Sequence, residues 1–401
     1  MISGVIEGFY GTPWSWSDRR ACIELLSRFD ANAYVWAAKS EPRHRDLWRD
    51  SFRTDELEGF SDLSCHRDGV RLIVGLTPGA DATAPEVTRK LGPAIAAGAH
   101  GVALLFDDLP VLDAAERHRT LANETEQTFG LPVWLTPTHY AGGRRSEYLD
   151  QLVRGLSPTV EIMWTGEHVV SDRIGLDDVR ARTLACGGRA PLLWDNTPVN
   201  DAMMSEALHL GPYVGRDPAI RSALSGVLVN PMALARASLP TIASAMAWCG
   251  GGDALATWND TIDRLGWRRL AESTAFPDDA HWPGARPSRQ WWQEVSELDI
   301  VDIDDGCRPW VEAAKEGARL AIAALDLLER PDPDPQRRTM AAIGLVMAWR
   351  AWHREPVLTF GGGPRIRPVL TNDDHGRFTY DGRSISYSTS LVDDLVKRAT
   401  R

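Results

Sequence analysis

Val102-Ala-Leu-Leu-Phe-Asp-Asp108 is the stretch on which the reading of this 401-residue chain turns. Gly101 precedes five unbroken apolar residues, the composition of a strand buried on both faces, as in a parallel sheet. The run stops at two adjacent carboxylates, Asp107 and Asp108. Side chains alternate faces along a strand, so neighbouring aspartates share one pocket only where the strand gives way to a loop. In parallel α/β proteins the chemistry collects at the carboxyl ends of the strands. The continuation Asp108-Leu-Pro110 serves equally well to end a strand and begin a helix. On this stretch alone, site and cap stand level.

The same apolar-run-then-polar-end pattern recurs outward in both directions. Strands are expected at Gly4–Tyr10, Ala33–Ala37, Arg71–Leu76, Pro132–Leu135, Val160–Trp164, Leu192–Trp194 and Gly226–Val229. Helical segments separate most of them, the first opened by Ser17 as N-cap, another over Pro85–Ala97 and a last over Ala233–Trp248. Eight strands within about 250 residues is the count of a (β/α)8 TIM barrel. A doubly wound open sheet is the rival, and it lacks a GxGxxG or Walker-type glycine loop after the first strand.

Composition narrows the class. The hydrophobic (43%) and charged (25%) fractions are those of an ordinary globular protein, and the net charge of −11 argues against a nucleic-acid or anionic-membrane surface. The five cysteines, Cys22, Cys65, Cys186, Cys249 and Cys307, are widely spaced, without a CxxC pair. Neither a disulfide framework nor a zinc site is indicated, and no metal or cofactor is expected. No signal peptide or membrane-length apolar run is visible, so a cytoplasmic location with no membrane partner is expected. Sixteen tryptophans supply flat apolar faces that suit a core or a sugar platform.

Nearly every strand ends in a side chain capable of chemistry: Glu7 and Tyr10, Lys39, Asp107 and Asp108, Tyr140, Trp164, Asp195 and Asn196, Asn230. Singly, each has an ordinary reading as surface charge, loop anchor or turn former. In a barrel they converge on one face, which favours an active site. Two carboxylates, aromatic walls and amide and ammonium groups suit acid–base chemistry on a polyhydroxylated ring. The usual retaining glycosidase pair stands about 5 Å apart across the scissile bond, a position adjacent residues do not easily take. An adjacent pair suits substrate-assisted retention, in which the sugar's own 2-acetamido oxygen attacks the anomeric carbon. A metal-dependent barrel hydrolase remains the second reading, although no HxH or HExxH ligand set accompanies the aspartates. A sugar-binding protein without catalysis is the third.

Several stretches form one ordered set: Gly4-Val-Ile-Glu-Gly-Phe-Tyr-Gly-Thr-Pro-Trp14, Ala38-Lys39 with His44-Arg45 and Trp48, Ala103-Leu-Leu-Phe-Asp-Asp108, Val160-Glu-Ile-Met-Trp-Thr-Gly166, Trp194-Asp-Asn196 with Asn200-Asp201, Leu210-Gly-Pro-Tyr-Val-Gly-Arg216 and Gly226-Val-Leu-Val-Asn-Pro231. Together they resemble glycoside hydrolase family 84, the β-N-acetylglucosaminidases. The resemblance spans roughly residues 4–250 and implies a retaining enzyme acting on terminal β-linked N-acetylglucosamine of the O-GlcNAc type through an oxazoline. Hyaluronan or chitin fragments are the alternative substrates. It implies that Asp107 orients the acetamido group and that Asp108 is the general acid and then base. Tyr140 and Trp194 would wall the acetamide pocket, with Asn196 bonding in it. Gly8 through its carbonyl, Lys39, Asp201 and Asn230 would hold sugar hydroxyls. Two departures, Ser40-Glu41 after Lys39 and His139 before Tyr140, are expected at the rim, where they bear on the aglycone.

The barrel is expected over residues 1–265, a helical appendage over 266–355 and an irregular tail over 356–401. Apolar residues at helical spacing mark Ser288–Leu328 and Thr339–His353, separated by the proline-rich Glu329–Pro335. The tryptophans of the first segment read as the appendage's core or as the contact of a homodimer through these helices. Short strands are expected at Arg377–Tyr380 and Ser384–Tyr387.

Overall fold

The computed structural model describes residues 1–65, 69–108, 114–368, 370–372, 378–380 and 385–401. Eight parallel strands close into a barrel: β1 (Ile2–Ile6), β2 (Ala33–Trp36), β3 (Arg71–Leu76), β4 (Gly101–Leu105), β5 (Val133–Thr136), β6 (Glu161–Trp164), β7 (Leu192–Asp195) and β8 (Gly226–Val229). Their order around the barrel is their order in the chain, and β8 returns to pair with β1 at Ile2↔Gly226. Helices α1 (Trp16–Arg28), α2 (Thr54–Cys65), α3 (Ala84–Ala96), α4 (Ala115–Phe129), α5 (Glu147–Val153) and α6 (Leu176–Ala185) follow the first six strands. Between β7 and β8 the chain makes only two short 3-10 turns, Ala202–Met204 and Pro218–Ser222, and α7 (Ala235–Cys249) closes the barrel. The expected TIM barrel is therefore the observed one.

Period-2 alternation divides the barrel into two apolar layers. Ala33, Val35, Ala103, Leu105, Trp134 and Met163 fill the interior, while Tyr34, Trp36, Val102, Leu104 and Phe106 face the helices. Continuing that alternation past Leu105 puts Asp107 on the inner face. Helix α1 starts one residue after Ser15, whose side chain accepts from the Asp18 amide in a capping box with Asp18. The expected cap, Ser17, lies inside the helix instead, because Asp18 can complete the reciprocal pair with Ser15 alone.

The remainder packs on one side of the barrel. Helices α8 (Ala254–Arg264), α9 (Arg268–Ser273), α10 (Arg289–Ser296), α11 (Arg308–Glu329), α12 (Pro335–Trp352) and α13 (Leu391–Ala399) build a second core. Trp258, Trp267, Trp291, Trp292, Trp310 and Trp352 are all buried in it, so the expected tryptophan stripe is core. Barrel residues Leu208, Leu210 and Met232 join the same cluster. The segment expected to be irregular is ordered at its end, where Val392 and Val396 of α13 enter this core, as does Phe360. Gly363–Ile366 pairs antiparallel with Ile385–Ser388, and Leu370–Asn372 with Phe378–Tyr380. Arg377 and Ser384, the first residues of the two expected strands, lie outside the described residues, as do Leu109 and Pro110 of the cap reading.

Candidate active site

A pocket of about 270 Å³ opens at the carboxyl ends of the strands. It is lined by Gly8, Lys39, Asp107, Asp108, Tyr140, Trp194, Asn196, Asp201 and Asn230, so all nine residues to which the family resemblance gave a role meet there. A larger cleft of about 590 Å³ lies beside it and shares Val170, Asn196, Val199 and Met204. Its Asp172, Asp278 and Asp279 are ion-paired to Arg365 and Arg367, so these charges are already spent on one another. The smaller pocket is where polar groups converge with capacity to spare.

Asp107 and Asp108 follow β4, past its last paired residue. Asp107 is buried, and one oxygen, Oδ2, accepts from Lys39 Nζ at the end of β2. Its other oxygen, Oδ1, is buried with no hydrogen-bond partner among the described residues. An unpartnered buried carboxylate oxygen is costly, so one on a residue that lines a pocket marks a place for a donor. Asp108 turns back toward the pocket because its backbone is left-handed (φ 55°), a conformation costing a residue with a Cβ roughly 1–2 kcal/mol. Local strain of this kind is how two adjacent side chains come to serve one site.

Two phenols hold the Asp108 carboxyl. Tyr140 donates to Oδ1 at 2.9 Å and Tyr10 to Oδ2 at 3.0 Å. Burial, then the negative charge of Asp108, pushes the ionisation of both phenols up, so both remain donors at neutral pH. Tyr140 thus meets the general-acid candidate as well as walling the pocket. Tyr10 also donates its amide to Asp201 Oδ2 at 2.7 Å, and burial holds the Asp201 carboxyl above its ordinary range.

The opposite wall is a chain of amides. Trp194 Nε1 donates to Asn196 Oδ1 at 3.0 Å, Asn230 Nδ2 to the same oxygen at 2.8 Å, and the Gly8 amide to Asn230 Oδ1 at 3.0 Å. Trp194 can lie against the end of β1 only because residue 8 is glycine: a Cβ there would stand 2.0 Å from its ring. Lys39 Nζ sits 5.3 Å from that ring's centroid, which orients the ammonium between Trp194 and Asp107.

Two strand-end carboxylates are not part of the site. Glu7 is buried in a bidentate pair with Arg19 (2.9 and 3.1 Å), and Asp195 is bonded by Arg216 and by the Tyr213 hydroxyl at 2.7 Å. Both brace the barrel. His139, expected at the rim, is instead buried beneath it, its Nδ1 2.7 Å from Ser146 Oγ. Sequence reasoning missed Thr136, Thr165, Val169, Met203, Met204 and Pro368, which also line the pocket. Pro368 comes from the C-terminal segment, whose carbonyl accepts from the Val170 amide at 3.4 Å. Among the described residues, no group of three or more His, Cys, Asp or Glu side chains is placed to hold a metal ion.

A family model described as beta-N-acetylglucosaminidase matches residues 3–275, more than half of the chain. The chain belongs to that family. This is the glycoside hydrolase family 84 that the sequence stretches resemble. Within the family, the Protein O-GlcNAcases of Rattus norvegicus and Mus musculus are each 32% identical over 274 residues, 62% of this chain and 30% of theirs. The chain therefore spans less than a third of the length of those relatives. A mutant O-GlcNAc hydrolase of Thermobaculum terrenum superposes with a TM-score of 0.80 at 20% identity, covering 100% of this chain and 94% of that one. CpGH84B superposes with 0.79 at 18%, covering 99% and 76%. These two structures share the fold from the barrel through the appendage.

Proposed function

We propose that this chain is a retaining β-N-acetylglucosaminidase that removes terminal β-linked N-acetylglucosamine with the substrate's acetamido group as nucleophile. The observation that carries the reading is the free, buried Oδ1 of Asp107 beside Asp108 in a pocket sized for one sugar ring. The acetamido N–H donates to that oxygen, which raises the nucleophilicity of the acetamido oxygen. The oxygen attacks the anomeric carbon, the glycosidic C–O bond breaks, and the proton of Asp108 passes to the leaving oxygen. Asp107 carries the charge that balances the developing oxazolinium, itself held by Lys39. Asp108, now a carboxylate, takes a proton from water as the water oxygen adds to the anomeric carbon. The bond from the anomeric carbon to the acetamido oxygen breaks, its electron pair restoring the acetamide, and the β-configuration is retained.

Trp194 and Tyr140 wall the acetamide, and Asn196 bonds within that pocket. Lys39, Asp201, Asn230 and the Gly8 carbonyl hold the hydroxyls. The names of the rat, mouse and Thermobaculum proteins support O-linked N-acetylglucosamine as the substrate class. A thiazoline analogue of the oxazoline tests the mechanism, because the site binds most tightly what it stabilises in passage. Strong competitive inhibition supports the reading; robust turnover with weak inhibition counts against it.

Two further assignments belong to this proposal. Met340, Ile343 and Met347 stand exposed on α12, an apolar face that supports homodimer formation through the C-terminal helices. Light scattering on Met347→Glu tests it, a dimer becoming monomeric. Five free cysteines support a reducing, cytoplasmic setting. No helix among the described residues is long and apolar enough to cross a membrane.

A further inference from the structure

Arg45 takes no part in the reaction described above, yet it holds two groups of the pocket at once. Its Nη1 donates to the Tyr10 hydroxyl oxygen at 2.8 Å, and its Nη2 to the backbone carbonyl of Asp108 at 3.3 Å. The guanidinium carbon also lies 5.7 Å from the Tyr10 ring centroid. A phenol has a single proton to give. With Arg45 donating to the oxygen, that proton is directed at Asp108 Oδ2, 3.0 Å away. The second contact fastens the carbonyl of a residue whose backbone is left-handed. A rigid planar fork can satisfy both acceptors together, which a lysine ammonium cannot.

We propose that Arg45 is a positioning residue of the reaction, acting through Tyr10 to aim and hold the Asp108 carboxyl as that group gives up its proton. The inference rests on the assignment of Asp108 as general acid. It adds no covalent step: the proton goes to the leaving oxygen, and the charge left on the carboxylate is met by Tyr10 from one side and Tyr140 from the other. Hydrogen bonds to a charged acceptor are roughly twice as strong as neutral ones. The Tyr10 contact therefore strengthens as the proton departs, and its contribution goes to the transition state rather than to substrate binding. The benefit is greatest where proton transfer matters most, on glycosides whose leaving group needs help to depart. Burial and the neighbouring Asp108 charge keep the Tyr10 phenol protonated for this task. The other charged groups around the carboxyl, Asp107 with its partner Lys39 and Asp201, are fixed by contacts of their own.

The test compares kcat/KM, which covers the steps through departure of the leaving group, on a seryl and a dinitrophenyl N-acetylglucosaminide. Arg45→Gln is expected to lose about 10- to 100-fold on the seryl glycoside and only a few-fold on the activated one. Arg45→Lys is expected to share this bias, and serves if Arg45→Gln does not fold. In a Tyr10→Phe background, the Arg45 substitution is expected to cost clearly less than in the native chain, since only its contact with the Asp108 carbonyl is left to lose. Equal losses on both substrates, or a full additional loss in the Tyr10→Phe background, overturn the proposal. Asp108→Asn is measured alongside. If it shows the leaving-group bias and the Arg45 variants do not, the proposal falls and the general-acid assignment stands. If Asp108→Asn itself lacks the bias, both fall.

Discussion

Acidification should destabilise this barrel from directly beneath the two aspartates proposed as catalytic, and His118 is the residue to ask. His118 of α4 is buried and stacks on Phe106, the residue before Asp107, with ring centroids 3.8 Å apart. The Thr138 amide donates to the Tyr148 hydroxyl oxygen at 3.0 Å, and the same hydroxyl lies 2.8 Å from His118 Nδ1. We read the hydroxyl as the donor to that nitrogen and the ring as neutral. Burial pushes the His118 pKa down to about 3 from an ordinary 6.5. As pH falls, the unfolded chain takes up the proton first. Stability from this group is therefore present in full above about 6.5 and is lost progressively toward pH 3. At pH 5 the loss is about 2 kcal/mol, from about 1.4 kcal/mol per unit. His118→Asn keeps an acceptor near the Nδ1 position but cannot titrate. Denaturant unfolding at pH 7.5 and pH 5 measures the fall for each protein. The fall should be about 2 kcal/mol smaller in the variant, whatever its stability at pH 7.5. Parallel behaviour of the two proteins across this range would refute the neutral, accepting His118.

Three further substitutions probe the site and its support. Gly8→Ala would place a methyl 2.0 Å from the Trp194 ring, so it should displace the wall and reduce kcat/KM on an aryl glycoside about 100-fold. Lys39→Ala removes the cation from a buried pair and leaves Asp107 alone; denaturation should show a loss of about 3–5 kcal/mol, with activity abolished. Phe360→Ala opens a cavity among Trp291, Trp292 and Trp352, and calorimetry should report about 3–5 kcal/mol lost from the appendage.

The barrel was legible because strands buried on both faces are written as unbroken apolar runs, and Arg71–Leu76 and Gly226–Val229 match to the residue. The site was legible because a barrel gathers its strand ends, so side chains far apart in sequence could be placed together. The same rule misled at Glu7 and Asp195. Whether a strand-end acid serves chemistry or a buried ion pair depends on Arg19 and Arg216, and their approach is set by packing. Tyr10 was seen as a polar strand end, but its bond to Asp108 was not, since it requires the left-handed turn at Asp108. Pro368 had no local signal at all: it reaches the pocket through Arg365 and Arg367, whose partners lie in loops far upstream. His139 looked like a rim residue because it precedes Tyr140, yet its ring turns to Ser146 and Tyr148 while Tyr140 turns to Asp108.

The central claim is that adjacent aspartates divide one reaction, Asp107 orienting the nucleophile and Asp108 moving the proton. The measurement is the dependence of kcat/KM on leaving-group ability for Asp107→Asn and Asp108→Asn, from seryl through dinitrophenyl glycosides. Asp108→Asn should lose about 10²–10⁴-fold on poor leaving groups and little on the best. Asp107→Asn should lose heavily throughout the series, since the acetamido oxygen must attack whatever departs. Identical dependence in the two variants, or a loss of only a few-fold in both, would contradict the account.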